Sequence, residues 1–182
     1  MPLIYKPSTA KTLINFGCGL ITFTISTFCY SQSNLPACPD TGEKNQCFGR
    51  EFYSWTKATY VGEFKSDKPD GKGIYWRSVV QYEGEFKDGE YDGEGALYIP
   101  PTGLGSNIIG SFKNGKPYNA VSYVFNRLYK VVIDGKARDI EQNNGVFVGL
   151  TDQTSSTELT NRALDLIAKY PYRPATRPDW VR

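Results

Sequence analysis

Six carboxylates crowd one short stretch of this chain: Glu83, Glu85, Asp88, Glu90, Asp92 and Glu94, opposed only by Lys87. Two facing carboxylates can serve glycoside hydrolysis as acid and base, or hold a calcium ion. The spacing is not that of an EF-hand loop, which needs ligands at alternating positions and a terminal Glu at the twelfth. Glu85 and Glu94 also fall at positions of a repeat, and the others fall in a turn, so a solvated hairpin face accounts for the cluster. Gly71-Lys72-Gly73 and Gly93-Glu94-Gly95 could cradle a phosphate, but such loops open a helix, and neither glycine pair does. The chain has no histidine. That removes Ser-His-Asp and Cys-His nucleophiles, His-ligated zinc and the commonest general base. The expectation is a chain with no catalytic residue, no metal site and no cofactor, that is, not an enzyme.

Behind the carboxylates stands a repeat. Tyr60-Val61-Gly62-Glu63-Phe64-Lys65 is followed by Asp70-Gly71-Lys72-Gly73-Ile74-Tyr75. Tyr82-Glu83-Gly84-Glu85-Phe86-Lys87 and Asp92-Gly93-Glu94-Gly95-Ala96-Leu97 repeat it 22 residues later. A weaker third copy, Ile108-Ile109-Gly110-Ser111-Phe112-Lys113, has lost both glycines from its second half, Asn119-Ala120-Val121-Ser122-Tyr123. Tyr60, Gly62 and Phe64 alternate with Val61 and Glu63, which is the period of a strand with one buried face. Ser66, Asp67, Pro69 and Asp70 are turn formers, so each copy reads as a β-hairpin. Recurrent glycines within strands need a reason, and an aromatic ring lying over bare backbone supplies one. A single hairpin cannot bury such a face, whereas stacked copies can.

This pattern, Tyr-x-Gly-Glu-aromatic-Lys followed by Gly-x-Gly-x-aromatic, resembles the MORN repeat (membrane occupation and recognition nexus). The resemblance implies a mainly β fold, an elongated twisted sheet of stacked MORN-type β-hairpins, to which the residues read below add a C-terminal capping helix. The repeat glycines are Gly62, Gly71, Gly73, Gly84, Gly93, Gly95 and Gly110. Such repeats occur in scaffolds, in lipid-associated proteins and beside unrelated enzymatic domains, so the fold alone assigns no activity.

Residues 1–33 read as a signal peptide or an uncleaved anchor. Lys6 and Lys11 form a basic start, and no charge follows from Thr12 to Pro39. The apolar stretch is short for a transmembrane helix, and Ser31 and Ser33 offer cleavage points. Phe28 before Cys29 is too large for a lipidation site, and Cys18 lacks a fitting context. Without Lys6 and Lys11 the net charge of +2 falls to zero, which leaves no electrostatic footprint for nucleic acid. Cys38 and Cys47, bounding a polar loop over 34–46, read as a disulfide in an oxidising compartment. Closing so short a loop stabilises by roughly 2–3 kcal/mol in the chain-entropy model. A redox or metal pair would want Cys-x-x-Cys or further ligands. Leu35-Pro36-Ala37-Cys38-Pro39 and Cys47-Phe48-Gly49 are similar to the lead-in of exported bacterial MORN proteins.

Gly49 precedes Gly73 by 24 residues and reads as the return strand of an incomplete repeat. Glu51 stands where an aromatic is expected, with Phe52 or Tyr53 filling the gap through a bulge. The repeat ribbon is expected over 47–124, with degenerate strands, a helix at 156–170 and a Pro-rich tail over 125–182. Residues 99–107, with Pro100-Pro101-Thr102-Gly103 and Gly105, read as a loop extension or, alternatively, a binding loop on a rigid scaffold, and Ile133-Asp134-Gly135-Lys136 as a turn. Asn143-Asn144-Gly145 announces a strand at Val146-Phe147-Val148. In the helix, Ser155 and Glu158 fit a capping box, and Leu159, Ala163, Leu166, Ile167 and Tyr170 share a stripe. The helix is expected to close the ribbon's end and shield an edge.

Tyr60, Phe64, Tyr82, Phe86 and Phe112 are expected to form an aromatic face whose open part binds a protein partner or a second copy. The expected role is a non-catalytic exported scaffold in the periplasm or cell envelope. The alternative is a peripheral phospholipid-binding module, which would need a basic patch or an exposed apolar face.

Overall fold

Strand-period alternation interrupted every eight to ten residues by a turn resolves into consecutive hairpins. The computed structural model describes residues 33–99, 106–144, 146–151 and 157–174, with the side chain of Val146 left out. The segment up to residue 32, expected to be a signal or anchor, with Cys18 and Cys29, residues 100–105, Gly145, Ser155 of the expected capping box and residues from 175 lie outside the described residues. Of the expected 99–107 loop, Ile99, Ser106 and Asn107 are described and fall in strands. Residues 33–182 form one unit by their contacts, and it alone is described below.

The strands are β1 (Cys47–Tyr53), β2 (Ala58–Lys65), β3 (Lys68–Arg77), β4 (Val80–Lys87), β5 (Glu90–Ile99), β6 (Ser106–Lys113), β7 (Lys116–Val124), β8 (Arg127–Ile133), β9 (Lys136–Asn143) and β10 (Val146–Leu150). One helix, α1 (Thr157–Lys169), follows. All ten strands lie in one sheet in chain order, each antiparallel to the next. The protein is therefore mainly β, as the repeats imply.

Register is pinned by glycine. Gly49 pairs with Gly62, Gly62 with Gly73, Gly73 with Gly84, Gly84 with Gly95 and Gly95 with Gly110. An unbroken row of glycines thus crosses six strands. A Cβ on Gly73 would collide with the Tyr60 ring, and one on Gly95 with the Tyr82 ring. These rings lie flat on the bare backbone, which is why the glycines recur.

Between the glycine row and the turn, each full repeat carries a bulge. Gly62 faces Gly73 and Phe64 faces Pro69, so Glu63 alone spans Asp70, Gly71 and Lys72. Gly71 and its counterpart Gly93 take φ of 101° and 103°, a region that side chains rarely adopt. Glu63 Oε2 accepts the Lys72 N–H at 3.2 Å, and Glu85 Oε2 accepts the Glu94 N–H at 3.0 Å. In the third copy the bulge is one residue shorter, and Ser111 replaces the glutamate. Its hydroxyl is close enough to bond both the N–H and the carbonyl of Asn119, at 3.2 and 3.3 Å. The shorter bulge needs no glycine, which explains their loss from the third copy.

Four two-residue turns close the hairpins at one end of the sheet: Ser66-Asp67, Asp88-Gly89, Asn114-Gly115 and Asp134-Gly135. All eight residues have positive φ, between 48° and 90°, as type I′ turns require. A clasp joins each turn to the chain before it. The N–H groups of Ser66, Asp88, Asn114 and Asp134 donate to side-chain oxygens of Asn45, Asp70, Asp92 and Asn119 at 3.0–3.3 Å. The next N–H, from Asp67, Gly89, Gly115 and Gly135, donates to the carbonyls of Lys44, Pro69, Tyr91 and Tyr118 at 2.8–3.0 Å. The clasp recurs from the half repeat to the β8–β9 hairpin, well past the region where the glycines survive.

The core changes side along the sheet. Over β1 to β6 it is the aromatic face with its glycine row. Over β5 to β10 it is the opposite face, where Ala96, Ile109, Val121 and Val131 pair in a row. Helix α1 packs there through Leu159, Ala163, Leu166 and Ile167, as the stripe predicts. It touches β7, β8 and β10 across a sheet face. The expectation that it shields an edge is corrected: the apolar residues it must cover stand on a face. Tyr123 Oη donates to the Tyr170 carbonyl at 2.7 Å, and Arg162 binds Asp134 through both guanidinium nitrogens at 2.8 and 2.9 Å.

Two further corrections concern the strands. No bulge occurs in β1; Glu51 itself pairs with Tyr60 in the aromatic position and binds Lys44 Nζ at 2.6 Å. Strand β9, Lys-Ala-Arg-Asp-Ile-Glu-Gln-Asn, escapes sequence reading because it is mostly exposed and has no apolar alternation.

A sealed aromatic row and an open apolar rim

The five rings expected to offer a binding face are interior. Tyr60, Phe64, Tyr82, Phe86 and Phe112 are 0, 1, 0, 5 and 3% exposed. Each hairpin seals its predecessor. Phe86 packs edge-on against Tyr60 at 4.9 Å between centroids, and Phe112 against Tyr82 at 5.1 Å. Such edge-to-face pairs contribute about 0.5–1.5 kcal/mol each beyond the area they bury. Tyr91 stacks flat on Tyr82 at 3.8 Å. Tyr60 and Tyr82 then donate their hydroxyls to the carbonyls of Glu63 and Glu85, at 2.9 and 3.1 Å. Burial, then the neighbouring Tyr91 and acidic Glu85 and Asp92, push the Tyr82 phenol well above its ordinary value. Burial also pushes Tyr91 up to about 12. The row is a core held by rings and glycines, with no open portion.

Cys38 and Cys47 are bonded, with Cα atoms 4.8 Å apart. A Cβ on Gly49 would meet Cys38 Cβ and Sγ at 2.9 Å. The bridge therefore sits over Gly49 as Tyr60 sits over Gly73, and takes the place of a ring in the incomplete repeat.

Most of the carboxylates of the second repeat have structural partners. Glu85 holds the bulge and Asp92 the next turn. Glu94 receives Lys169 Nζ at 3.1 Å and Tyr170 Oη at 2.9 Å. Asp88 lies 3.8 Å from Lys68 in an exposed pair. Glu83 stands half-buried on the opposite face; burial pushes its carboxyl up, and the Arg173 guanidinium pulls it back. Among the described residues no three acidic or thiol groups converge as a metal site would need.

Exposed apolar side chains gather elsewhere, at the end of the sheet away from the clasped turns. Trp55 in the β1–β2 turn is 85% exposed, Phe125 in the β7–β8 turn 63% and Val79 in the β3–β4 turn 52%. Ile99, at the end of β5, joins them. Phe125 has φ of 48°, a conformation in which a bulky residue is strained and Asn or Gly is ordinary. Beside it opens a shallow cavity of about 600 Å³, lined by Val124, Phe125, Arg127, Leu128, Tyr129 and Gln142. The charges within this row of turns are Lys57, Arg77 and Arg127, with no carboxylate among its described residues. The clasped rim is the reverse: its turns hold Ser, Asp, Asn and Gly, and lysines alternate with acids around them. The sequence signal for the apolar rim was a large apolar residue in three turns, Trp55, Val79 and Phe125, off the strand alternation. It is easily passed over, because turns are read for their polar residues.

No curated protein matches the chain. The family model for the MORN repeat matches residues 60–78 and 82–100, which are the first two full hairpins with their glycines, bulges and rings. The chain therefore carries MORN repeats at those two segments.

Proposed function

We propose that this protein is a non-catalytic binding scaffold that engages its partner through the apolar rim, with the aromatic row serving as the rigid backbone of the device. One observation carries this reading. Trp55, Val79 and Phe125 are left exposed on turns at one end of the sheet, one of them at a backbone cost, while the five rings of the aromatic row are sealed. Exposed aromatics on a rigid sheet mark interaction sites. The setting proposed is the exported cell envelope. Its support is the Cys38–Cys47 bridge, which persists in oxidising compartments.

The test is site-specific photo-crosslinking from positions 55, 125 and 164 in cells. Discrete protein adducts from 55 and 125, with none from exposed Leu164 on α1, are the expected result. Equal labelling from all three positions, or none from the rim, overturns it. Phe125→Asn makes a clean companion: it removes the ring while easing the backbone, so binding falls and stability does not.

A second reading has its own support. Lys57 and Arg77 near the exposed Trp55, with Arg127 further along the same rim, suit an anionic phospholipid surface, where indole rings lodge at the interface. On that reading the protein floats with anionic vesicles at low salt, releases at high salt, and loses binding on Trp55→Ala.

A further inference from the structure

We infer that the outer edge of β1 is a pairing site for β1 of a second copy of this chain, and that the Cys38–Cys47 bridge holds it shut. This goes beyond the rim and does not depend on it.

β1 is the first strand of the sheet, with β2 on one side only. Among the described residues, its other edge is occupied at one point. Ala37 bridges Phe48 in parallel: Cys38 N–H donates to the Phe48 carbonyl at 2.9 Å, and Phe48 N–H to the Pro36 carbonyl at 2.8 Å. Backbone groups alternate sides along a strand, so those of Phe48, Arg50 and Phe52 all point outward. The strap covers the first of these and stops. Two exposed hydrogen bonds do not by themselves hold a loop; the covalent tie is the disulfide, which joins the neighbours of Ala37 and Phe48 and lays Cys38 over Gly49. Beyond it, the clasp of Lys44 and Asn45 on the Ser66-Asp67 turn keeps β1 itself in place.

The occupant follows from the glycine row. That row runs glycine to glycine through every strand boundary from β1 to β6 and ends at Gly49 on this edge. A second β1, antiparallel, with its Gly49 opposite Gly49, continues the row by the rule that builds the rest of the sheet. The same register sets Arg50 opposite Phe48 of the second copy, twice, and keeps the two Arg50 cations from facing each other. An edge strand with free backbone groups is a template for such pairing.

A dithiol opens the edge. It supplies two electrons and two protons, the Sγ–Sγ bond breaks to two thiols, and the dithiol becomes a disulfide. A chain that has not yet formed the bridge is in the same open state.

The test compares the mass of the full-length protein by sedimentation, in a Cys18→Ser/Cys29→Ser background that removes other thiols. Cys38→Ala/Cys47→Ala, and the dithiol-treated protein with its native pair, should both double in mass. Adding Arg50→Pro, which removes an outward N–H that β2 does not use, should return the mass to that of the bridged form. Amide exchange supplies the internal control, read on the Cys38→Ala/Cys47→Ala/Arg50→Pro protein, in which no second copy can cover the edge: Phe48 should lose protection there, while β4 and β5 keep theirs. Three results overturn the inference: Phe48 stays protected in that triple variant, the mass of the Cys38→Ala/Cys47→Ala protein stays that of the bridged form, or the doubled mass survives Arg50→Pro.

Discussion

At the scale of residues, the fold rests on contacts between a ring and the absence of a side chain. Gly73 and Gly95 are needed because Tyr60 and Tyr82 already occupy the space a methyl group would take. Gly73→Ala should therefore lower stability by about 1–3 kcal/mol in urea denaturation, the range for overpacking a tight site. Gly149 in β10 has open space where its Cβ would be, so Gly149→Ala should stay within about 0.5 kcal/mol of the native protein. Similar losses at both sites would sink the explanation of the glycine row. The identity of these glycines and rings was legible in the sequence, because they recur in phase. Their burial was not. Alternation says that Tyr60 and Phe64 share a face, but the ring that covers Tyr60 is Phe86, from the next copy. Coverage is a relation between copies, invisible within one. Glu51 misled in the same way. Its partner, Lys44, comes from the N-terminal loop and lets a carboxylate stand where a ring was expected.

At the scale of elements, hairpins and helix use two opposite faces of one sheet. The repeats predicted the hairpins and the stripe predicted α1, but nothing in the stripe says what it covers. The answer lies in Val121 and Val131, which are fully buried on the face away from the rings. Ala163, on α1, is also fully buried among them and marks a close approach of helix to sheet. Ala163→Leu should lift the helix and destabilise by about 1–3 kcal/mol, read as an earlier thermal transition. Leu164→Ala, one residue on and exposed, should leave it nearly unchanged. If Ala163→Leu is as mild as Leu164→Ala, the helix is not seated as described.

At the scale of the whole described unit, every strand pairs only with its sequence neighbours, ring contacts reach one strand further, and α1 packs across β7, β8 and β10. Stability should then be local, as in a solenoid, with each hairpin supported by the ones beside it. Amide exchange should be slowest in the middle strands, β4 to β6, and faster toward β1. Reducing the bridge in an Arg50→Pro background, where β1 cannot pair with a second copy, should accelerate β1 first and leave the middle unaffected. A single uniform rate across all strands would show instead that the sheet opens as one cooperative block. The bridge was legible from cysteine count and spacing. Its second role, as the lid over Gly49, came only with the sheet register.

The clasps between turns have a direction. In each, the N–H groups of the turn donate back to the earlier part of the chain: Ser66 to Asn45, Asp88 to Asp70, Asn114 to Asp92 and Asp134 to Asn119. A polypeptide emerging amino end first, from a ribosome or a translocation pore, finds each docking point already made. Assembly can proceed like bricklaying, course upon finished course, with α1 arriving last to close the far face.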